Sequence, residues 1–459
     1  MLAQLLPTTV LPPSPVFPVV HHPLAAQVLD IARQLRRFEQ LPPAQQQALQ
    51  ADQILALLRH AHACSPFWRA RLDAAGFNPA AATFDGFGTL PVLSRSELQN
   101  HFAAMRARLP GQDDSAFVVA ATSGSTGQPV RVERLRELHG LLYEAVGLID
   151  NEWHGRDPSQ TLGVLGIGLQ DAAFPDWGGI YPLLGYRGQG FSRGLATHPL
   201  ASHLAWLAAC RPGYLKCSPL AAAELARLAL ASGQQLPLRQ ILSQSERVLP
   251  AHRALCRAAF GAEIKDRYSC EEAGWLALQC PQHDHLHILS GTVHVEIVDE
   301  AGQACPVGQP GRVLVTGLHS YAMPLIRYEL GDLAEWGPPC DCGITLPVIR
   351  RLWGRTRHQL RLPSGERRPM PALGDDIGRI AAVQEFQVRQ YLGGELEVLC
   401  RVSRPLCSAE RDAIARILRT DVTAELQVFI REVDAIDWGP GWKRDEFVSL
   451  ETPRPTGAG

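Results

Sequence analysis

Phe117-Val118-Val119-Ala120-Ala121-Thr122-Ser123-Gly124-Ser125-Thr126-Gly127 is an apolar run that breaks into four hydroxyls and two glycines. A strand followed by such a loop turns backbone N–H groups inward. The glycines tolerate positive φ and let an anion come close. It is not a Walker loop, because the GxxxxGK[ST] spacing is absent and no Lys follows; a flexible Ser/Gly turn is the competing reading of the same residues. Downstream, β-rich runs at 117–120, 163–168 and 238–242 alternate with helical stretches at 135–151 and 220–232. That alternation predicts an α/β fold with mostly parallel strands. Upstream, 25–39 and 44–62 repeat Leu, Ile and Ala at helical spacing. Between 288 and 336 the texture turns to strands, with alternation at 294–298 and a Pro-Gly turn before 311–316, which predicts a β-rich subdomain. Beyond 354–358, strands within 385–402 and 425–433 flank a helix at 408–420, a compact α+β module of ordinary small-domain size.

The expected organisation is an irregular arm at 1–24, a large N-terminal α/β domain at 25–354 with its β-rich subdomain, a small mobile α+β domain at 355–450, and a tail at 451–459. A chain of 459 residues exceeds one ordinary core. Its 44 Lys and Arg offset 46 Asp and Glu, for a formal charge of −2. Nothing in that balance attracts nucleic acid or an anionic membrane. No stretch reaches the roughly 20 unbroken apolar residues of a membrane span. The start lacks the basic residues of a signal peptide and is broken by prolines from Pro7. Eleven cysteines without an export signal point to reduced thiols or metal ligands, hence to the cytoplasm.

The loop, continued by Gln128-Pro129, resembles the phosphate loop of the adenylate-forming superfamily of acyl-CoA synthetases and adenylation domains. Val130 stands where many members carry a Lys. Further motifs follow in family order. Ser243-Gln244-Ser245-Glu246 resembles the adenine-side segment. Asp266-Arg267-Tyr268-Ser269-Cys270-Glu271-Glu272 resembles Tyr-Gly-x-Thr-Glu, with Ser269 for Gly and Glu271 for Thr. Tyr328-Glu329-Leu330-Gly331-Asp332 resembles Tyr-x-x-Gly-Asp. Gly354-Arg355 resembles the Gly-Arg hinge, with Arg357 or His358 where an acid is usual. Gly441-Trp442-Lys443-Arg444 resembles the ending that carries the C-terminal lysine. Within the superfamily, His60-Ala61-His62, Ser65-Pro66-Phe67-Trp68 and Leu90-Pro91-Val92-Leu93-Ser94 resemble the phenylacetate–CoA ligase-like branch.

The resemblance implies a role for each matched position. Residues Thr122, Ser123, Gly124, Ser125, Thr126 and Gly127 would hold the ATP phosphates. Ser245 and Glu246 would line the adenine side, Tyr268 would stack on adenine, and Asp266 would reach its amino group. Glu272 would hold Mg²⁺, Asp332 the ribose hydroxyls, and Arg355 the ribose or phosphate. Lys443, with Glu272 the catalytic pair, would place its ammonium between the carboxylate and the α-phosphate. A carboxylate attacking a phosphate brings anion to anion, so positioned cations and N–H dipoles must offset the repulsion.

Cys280, with His287 seven residues on, and Cys340-Asp341-Cys342-Gly343 form two short clusters of the kind that close a tetrahedral Zn²⁺ site. The branch resemblance supports Cys280, His287, Cys340 and Cys342 as the structural set. His283 and His285 are rival ligands.

Gly190-Phe191-Ser192-Arg193-Gly194 fits the Gly-x-Ser-x-Gly hydrolase elbow, which needs a strand before and a helix after. Glycine-rich 185–190 and the stretch 196–199 read as loop instead. The expected reaction is therefore acyl-AMP formation followed by transfer to a thiol of CoA or a carrier protein. The resemblance favours an aryl or small hydrophobic acid, with Trp177, Tyr181 and Phe191 as a weakly marked pocket. An amino acid loaded onto a carrier or made into an amide, and a non-catalytic ATP binder, are the alternatives. A homodimer is compatible with all of these.

Overall fold

The computed structural model describes residues 22–108, 111, 113–122, 129–355, 359–365, 367–370, 373–378, 380–422, 426–438, 446–450 and 452–455. Residues 1–21 of the proposed arm, most of the tail, loop residues 123–128 and the segment around Lys443 lie outside them.

Five helices open the chain: α1 (Pro23–Phe38), α2 (Pro43–Cys64), α3 (Pro66–Ala74), α4 (Arg95–Asn100) and α5 (Phe102–Met105). Prolines at the first helical positions start α1, α2 and α3, where a missing N–H costs nothing. The start of α4 is a capping box: the Glu97 N–H donates to Ser94 Oγ at 3.2 Å, and the Ser94 N–H donates to Glu97 Oε2 at 2.8 Å. Arg71 also holds Glu97 at 2.6 Å. Position 95, the first helical residue, is fixed by this clamp.

Strands β1 (Phe117–Ala121) and β2 (Arg131–Leu135) form a separate antiparallel hairpin, not part of the parallel sheet. The long helix α6 (Arg136–Trp153) follows. Then come β3 (Leu162–Gly166), β4 (Ala172–Phe174), β5 (Gly190–Gly194), α7 (Leu200–Cys210), β6 (Tyr214–Cys217), α8 (Pro219–Ser232), β7 (Gln240–Ser243), α9 (Pro250–Phe260) and β8 (Glu263–Lys265). They build a six-stranded sheet in the order β4-β5-β3-β6-β7-β8, parallel except for β4. Leu165, Leu215, Cys217 and Ile241 pack one face of it, fully buried, into an apolar cluster with α7, α8 and α9. The Gly-x-Ser-x-Gly match is itself strand β5, and residues 195–199 separate it from α7. Ser192 Oγ is spent on the Gln170 carbonyl at 2.7 Å, so no elbow forms.

A seven-stranded antiparallel sheet follows: β9 (Arg267–Cys270), β10 (Gly274–Gln279), β11 (Leu286–Ile288), β12 (Val293–Val298), β13 (Pro310–Gly317), β14 (Tyr328–Trp336) and β15 (Val348–Arg355), in the order β12-β13-β14-β15-β11-β10-β9. Its inner side shares one core with α2, including Ile54, Leu57, Trp68, Val313 and Val315. The C-terminal residues have a core of their own, from Leu360 to Phe447. It lies under a four-stranded sheet: β18 (Val383–Gln390) and β19 (Leu396–Val402) antiparallel, with β20 (Val428–Val433) and β21 (Phe447–Ser449) added in parallel, after the small hairpin β16 (Gln359–Arg361) and β17 (Arg367–Pro369). Helix α10 (Ser408–Ile417) packs on that sheet through Ile414. Among the described residues, no helix is long and apolar enough to cross a membrane.

Candidate active site

The parallel strands β7 and β8 end at Ser243 and Lys265, and the chain crosses from there into β9. Ser243 Oγ donates to Asp266 Oδ1 at 2.7 Å, and the Arg267 N–H donates to the same oxygen at 2.8 Å. Burial pushes the Asp266 carboxyl up, against the pull of those donors. Ser245, two residues past the strand, holds φ at +70°, uncommon for a residue with a Cβ.

From β9, the Tyr268 hydroxyl donates to Asp332 Oδ2 at 2.7 Å, and Arg355 Nε pairs with Asp332 Oδ1 at 3.0 Å. Asp332 and Arg355 are direct cross-strand partners on β14 and β15. The Asp332 charge raises the Arg355 pKa; burial, then that same charge, pushes the Tyr268 phenol well up. Three residues matched from separate motifs, 87 positions apart at the extremes, thus form one hydrogen-bonded unit.

Glu272 lies beside it, buried, with Oε1 accepting from the Tyr328 hydroxyl at 3.1 Å. Arg95 at the head of α4 places one guanidinium nitrogen 3.5 Å from that same Oε1 and another 3.5 Å from Thr122 Oγ1. Thr122 closes the foot of the hydroxyl-rich loop: its N–H donates to the Val130 carbonyl and its Oγ1 accepts from the Val130 N–H, both at 2.9 Å. The sequence reading missed Arg95. The signal it held was a Ser-x-x-Glu box directly after the Leu-Pro-Val-Leu segment, which fixes where the first helical side chain stands.

Trp177, Tyr181 and Phe191 have structural partners. The Trp177 indole N–H donates to the Gln160 carbonyl at 2.7 Å, and its ring meets Tyr181 and Tyr214 edge-on. The Tyr181 hydroxyl accepts from Asn151 at 2.6 Å. Phe191 is half-buried in β5. Apolar side chains that do stand open nearby are Ile167, Leu169 and Phe174, just past β3 and on β4.

The cysteine cluster assembles away from these groups. Cys280 Sγ lies 3.8 Å from Cys340 Sγ, and His287 Nε2 lies 3.3 Å from Cys342 Sγ. The Gln282 N–H points at Cys280 Sγ and the Cys342 N–H at Cys340 Sγ, both at 3.4 Å. His287 Nδ1 faces the Leu346 carbonyl at 3.3 Å, which frees Nε2 for the cluster. Of the rivals, His283 is held 2.7 Å from Asp341. His285 stays close: its ligand atom lies within 4.8 Å of those of Cys280, His287 and Cys340, and its Nε2 is buried without a hydrogen-bond partner. Burial holds the thiol of Cys342 up at about 12 and His287 down at about 4. A soft donor set with N–H groups aimed at sulfur fits Zn²⁺.

The fold is shared with known proteins. No protein-family model matches the chain. The phenylacetate–coenzyme A ligase of Thermus thermophilus is 26% identical over 339 residues, 70% of this chain and 73% of that protein. Among solved structures, 2-hydroxyisobutyryl-CoA ligase in its postadenylation state superposes with a TM-score of 0.72 at 20% identity over 91% of both chains; its thioesterification state gives 0.58. An anthranilate CoA ligase with anthranoyl-AMP gives 0.52 at 18% identity, covering 69% of this chain and 62% of that one. The fold, a large α/β domain with a smaller C-terminal one, is that of the adenylate-forming superfamily. The sequence similarity to the Thermus ligase agrees with the resemblance of its motifs to the phenylacetate–CoA ligase-like branch.

Proposed function

We propose that the protein activates a carboxylic acid with ATP through an acyl-adenylate and transfers the acyl group to a thiol, that of CoA first and of a carrier protein as the alternative. The Tyr268–Asp332–Arg355 unit beside Glu272, Arg95 and Thr122 carries this reading: a hydroxyl-binding carboxylate adjoins a carboxylate and a cation at the foot of an anion loop. Glu272 would hold Mg²⁺, which bridges phosphate oxygens and neutralises their charge. Arg95 would face the same phosphates and supply the cation that Val130 does not. Lys443 would enter with the small domain for the first half-reaction and leave for the second, by a swing about the segment after Arg355.

Cys280, His287 and Cys340 would hold a structural Zn²⁺, with Cys342 as the fourth ligand and His285 as its competitor. A metal there would tie the β10–β11 turn to the 340–342 loop, beside the core shared by α1 and α6. ATP–pyrophosphate exchange over a panel of acids tests the proposal. Exchange dependent on one acid supports it; silence with ATP binding intact favours the non-catalytic binder.

A further inference from the structure

The two faces of the parallel sheet differ. Opposite the apolar face, paired strand positions set Ser192, Val164, Lys216, Leu242 and Lys265 in one row across β5, β3, β6, β7 and β8. Paired residues in a sheet point to the same side, so this row faces α6 with its Asp150. Central strands covered by a helix should be sealed. Yet Val164 and Lys216, on the two innermost strands, remain partly accessible, whereas Leu165 and Leu215 behind them are 0% exposed. The α6 side of β3 and β6 is therefore less closely sealed than the side behind it, which leaves room for a narrow cleft.

Its wall carries surplus positive charge. The carboxylate acting on Lys216 is Asp150, and that group already serves Arg156, 2.6 Å from Oδ2, and Arg267. Among the described residues, no hydrogen bond or ion pair ends on the Lys216 ammonium, and Arg267 Nε is buried without a partner. Burial, then the Arg267 charge, brings the lysine down to about 8, so it remains largely charged at neutral pH. An unpaired ammonium in such a place is costly unless something anionic joins it. Lys216 pairs through Leu242 with Lys265, the residue before Asp266, so two strand spacings, about 10 Å, separate it from the strand end that carries Asp266.

We infer that this cleft is the inner part of the acyl pocket and that Lys216, backed by Arg267, binds a second anionic group on the acid, so that the substrate is a dicarboxylate or similarly charged acid. This rests on the adenylation reading and sharpens it: the expected aryl or hydrophobic acid gives way to a charged one. Ile167, Leu169 and Phe174 remain at the mouth to contact its carbon chain.

The test compares four- to six-carbon dicarboxylic acids with their monoamides, which keep one reacting carboxylate and nearly the same shape, in ATP–pyrophosphate exchange. Wild-type protein should prefer the diacid by roughly ten- to a hundredfold in kcat/KM, the discrimination expected of one buried charge-assisted contact. Lys216→Met should erase that preference and raise the melting temperature of the free protein, since it removes an uncompensated cation. The chain has only three lysines, Lys216, Lys265 and Lys443. Amine labelling at Lys216, read by peptide mass, should be blocked by the diacid and not by the monoamide. Monoamides or plain monoacids used as well as diacids would overturn the inference and leave the adenylation reading standing. Equal loss with both acids in Lys216→Met would place the lysine at the reacting carboxylate and overturn it too. Silence with every acid tested would remove both readings.

Discussion

Replacing Arg95 with alanine tests the phosphate side of the site. In the free protein its nearest charge is Glu272 at 3.5 Å. Coulomb's law puts such a pair at about 1 kcal/mol in water and about 5 kcal/mol at an effective dielectric of 20. Arg95 is 36% exposed, so screening holds the pair near the lower figure. Arg95→Ala should therefore change folding stability by no more than about 1 kcal/mol, a small shift in melting temperature. With MgATP bound, the same guanidinium would face charge that migrates toward pyrophosphate in the transition state. Loss of one preorganised donor there costs about 10²–10³ in rate when fully buried; the exposure lowers this to roughly 10–100-fold. The assay is ATP–pyrophosphate exchange at saturating acid, beside thiol transfer from preformed acyl-AMP. Exchange should fall by that factor, transfer should not, and Arg95→Lys should recover part of the loss. Exchange within twofold of wild type would refute the role, as would an equal fall in both half-reactions.

Lys443→Ala should cripple adenylation far more than transfer from preformed acyl-AMP; equal losses, read by the same two assays, would count against the swing of the small domain. Cys340→Ser should release bound zinc, measured by elemental analysis, and lower the melting temperature by several degrees while leaving KM for ATP near its original value. His285→Ala should leave zinc at one per chain if Cys342 is the fourth ligand and lower it if His285 is. Acid should weaken the fold well above the carboxylate range. Burial holds His139, His252 and His294 down at about 4 and His154 at about 3, from an ordinary 6.5. The unfolded chain then binds protons first, so their contribution is complete above pH 6.5 and is lost as pH falls toward 4, on the order of 1–2 kcal/mol per group at pH 5. Urea melts from pH 7 to 4.5 should show it; a flat profile would contradict the burial of these rings.

Much of the fold was legible because its signals are local. Helical spacing from 25 to 62 and the alternation after 117 gave α1, α2 and the α/β layers. The shift between 288 and 336 marked β12, β13 and β14 of the antiparallel sheet; β15 follows it and β9, β10 and β11 begin earlier, since 267–279 shows neither clean alternation nor a turn signal. The hairpin β1–β2 read as part of the parallel set because a strand's sequence does not name its partner. Strand β5 was hidden between the glycine-rich 185–190 and 196–199, which read as loop, and its own Gly190 and Gly194 carry poor strand propensity; the close approach of Phe174 and the Asp176 carbonyl to Gly190 explains why a larger residue does not fit there. At the site, residues inside motifs came together, as Tyr268, Asp332 and Arg355 did. Arg95 and Lys216 belong to no motif. Their meaning comes from which distant residues they meet, and chain order does not carry that.

The asymmetry of the parallel sheet bears on what selected it. Stability alone would fill both faces as α7, α8 and α9 fill one, with Leu, Ile and Ala at no exposure. Replacing a buried ion pair with well-packed apolar residues is often neutral or favourable. The α6 face instead buries Asp150 between Arg156 and Arg267 and leaves Lys216 without a partner. That arrangement costs folding free energy unless a ligand offsets it, and it lies on the sheet whose strands β7 and β8 lead to Ser243 and Asp266. Mutating Asp150 would strand two guanidiniums and unfold the region, so it says nothing of function. Lys216 is the informative position, because removing it should make the empty protein more stable and the enzyme less selective. A residue whose loss helps the fold and harms discrimination is one the fold keeps for its ligand.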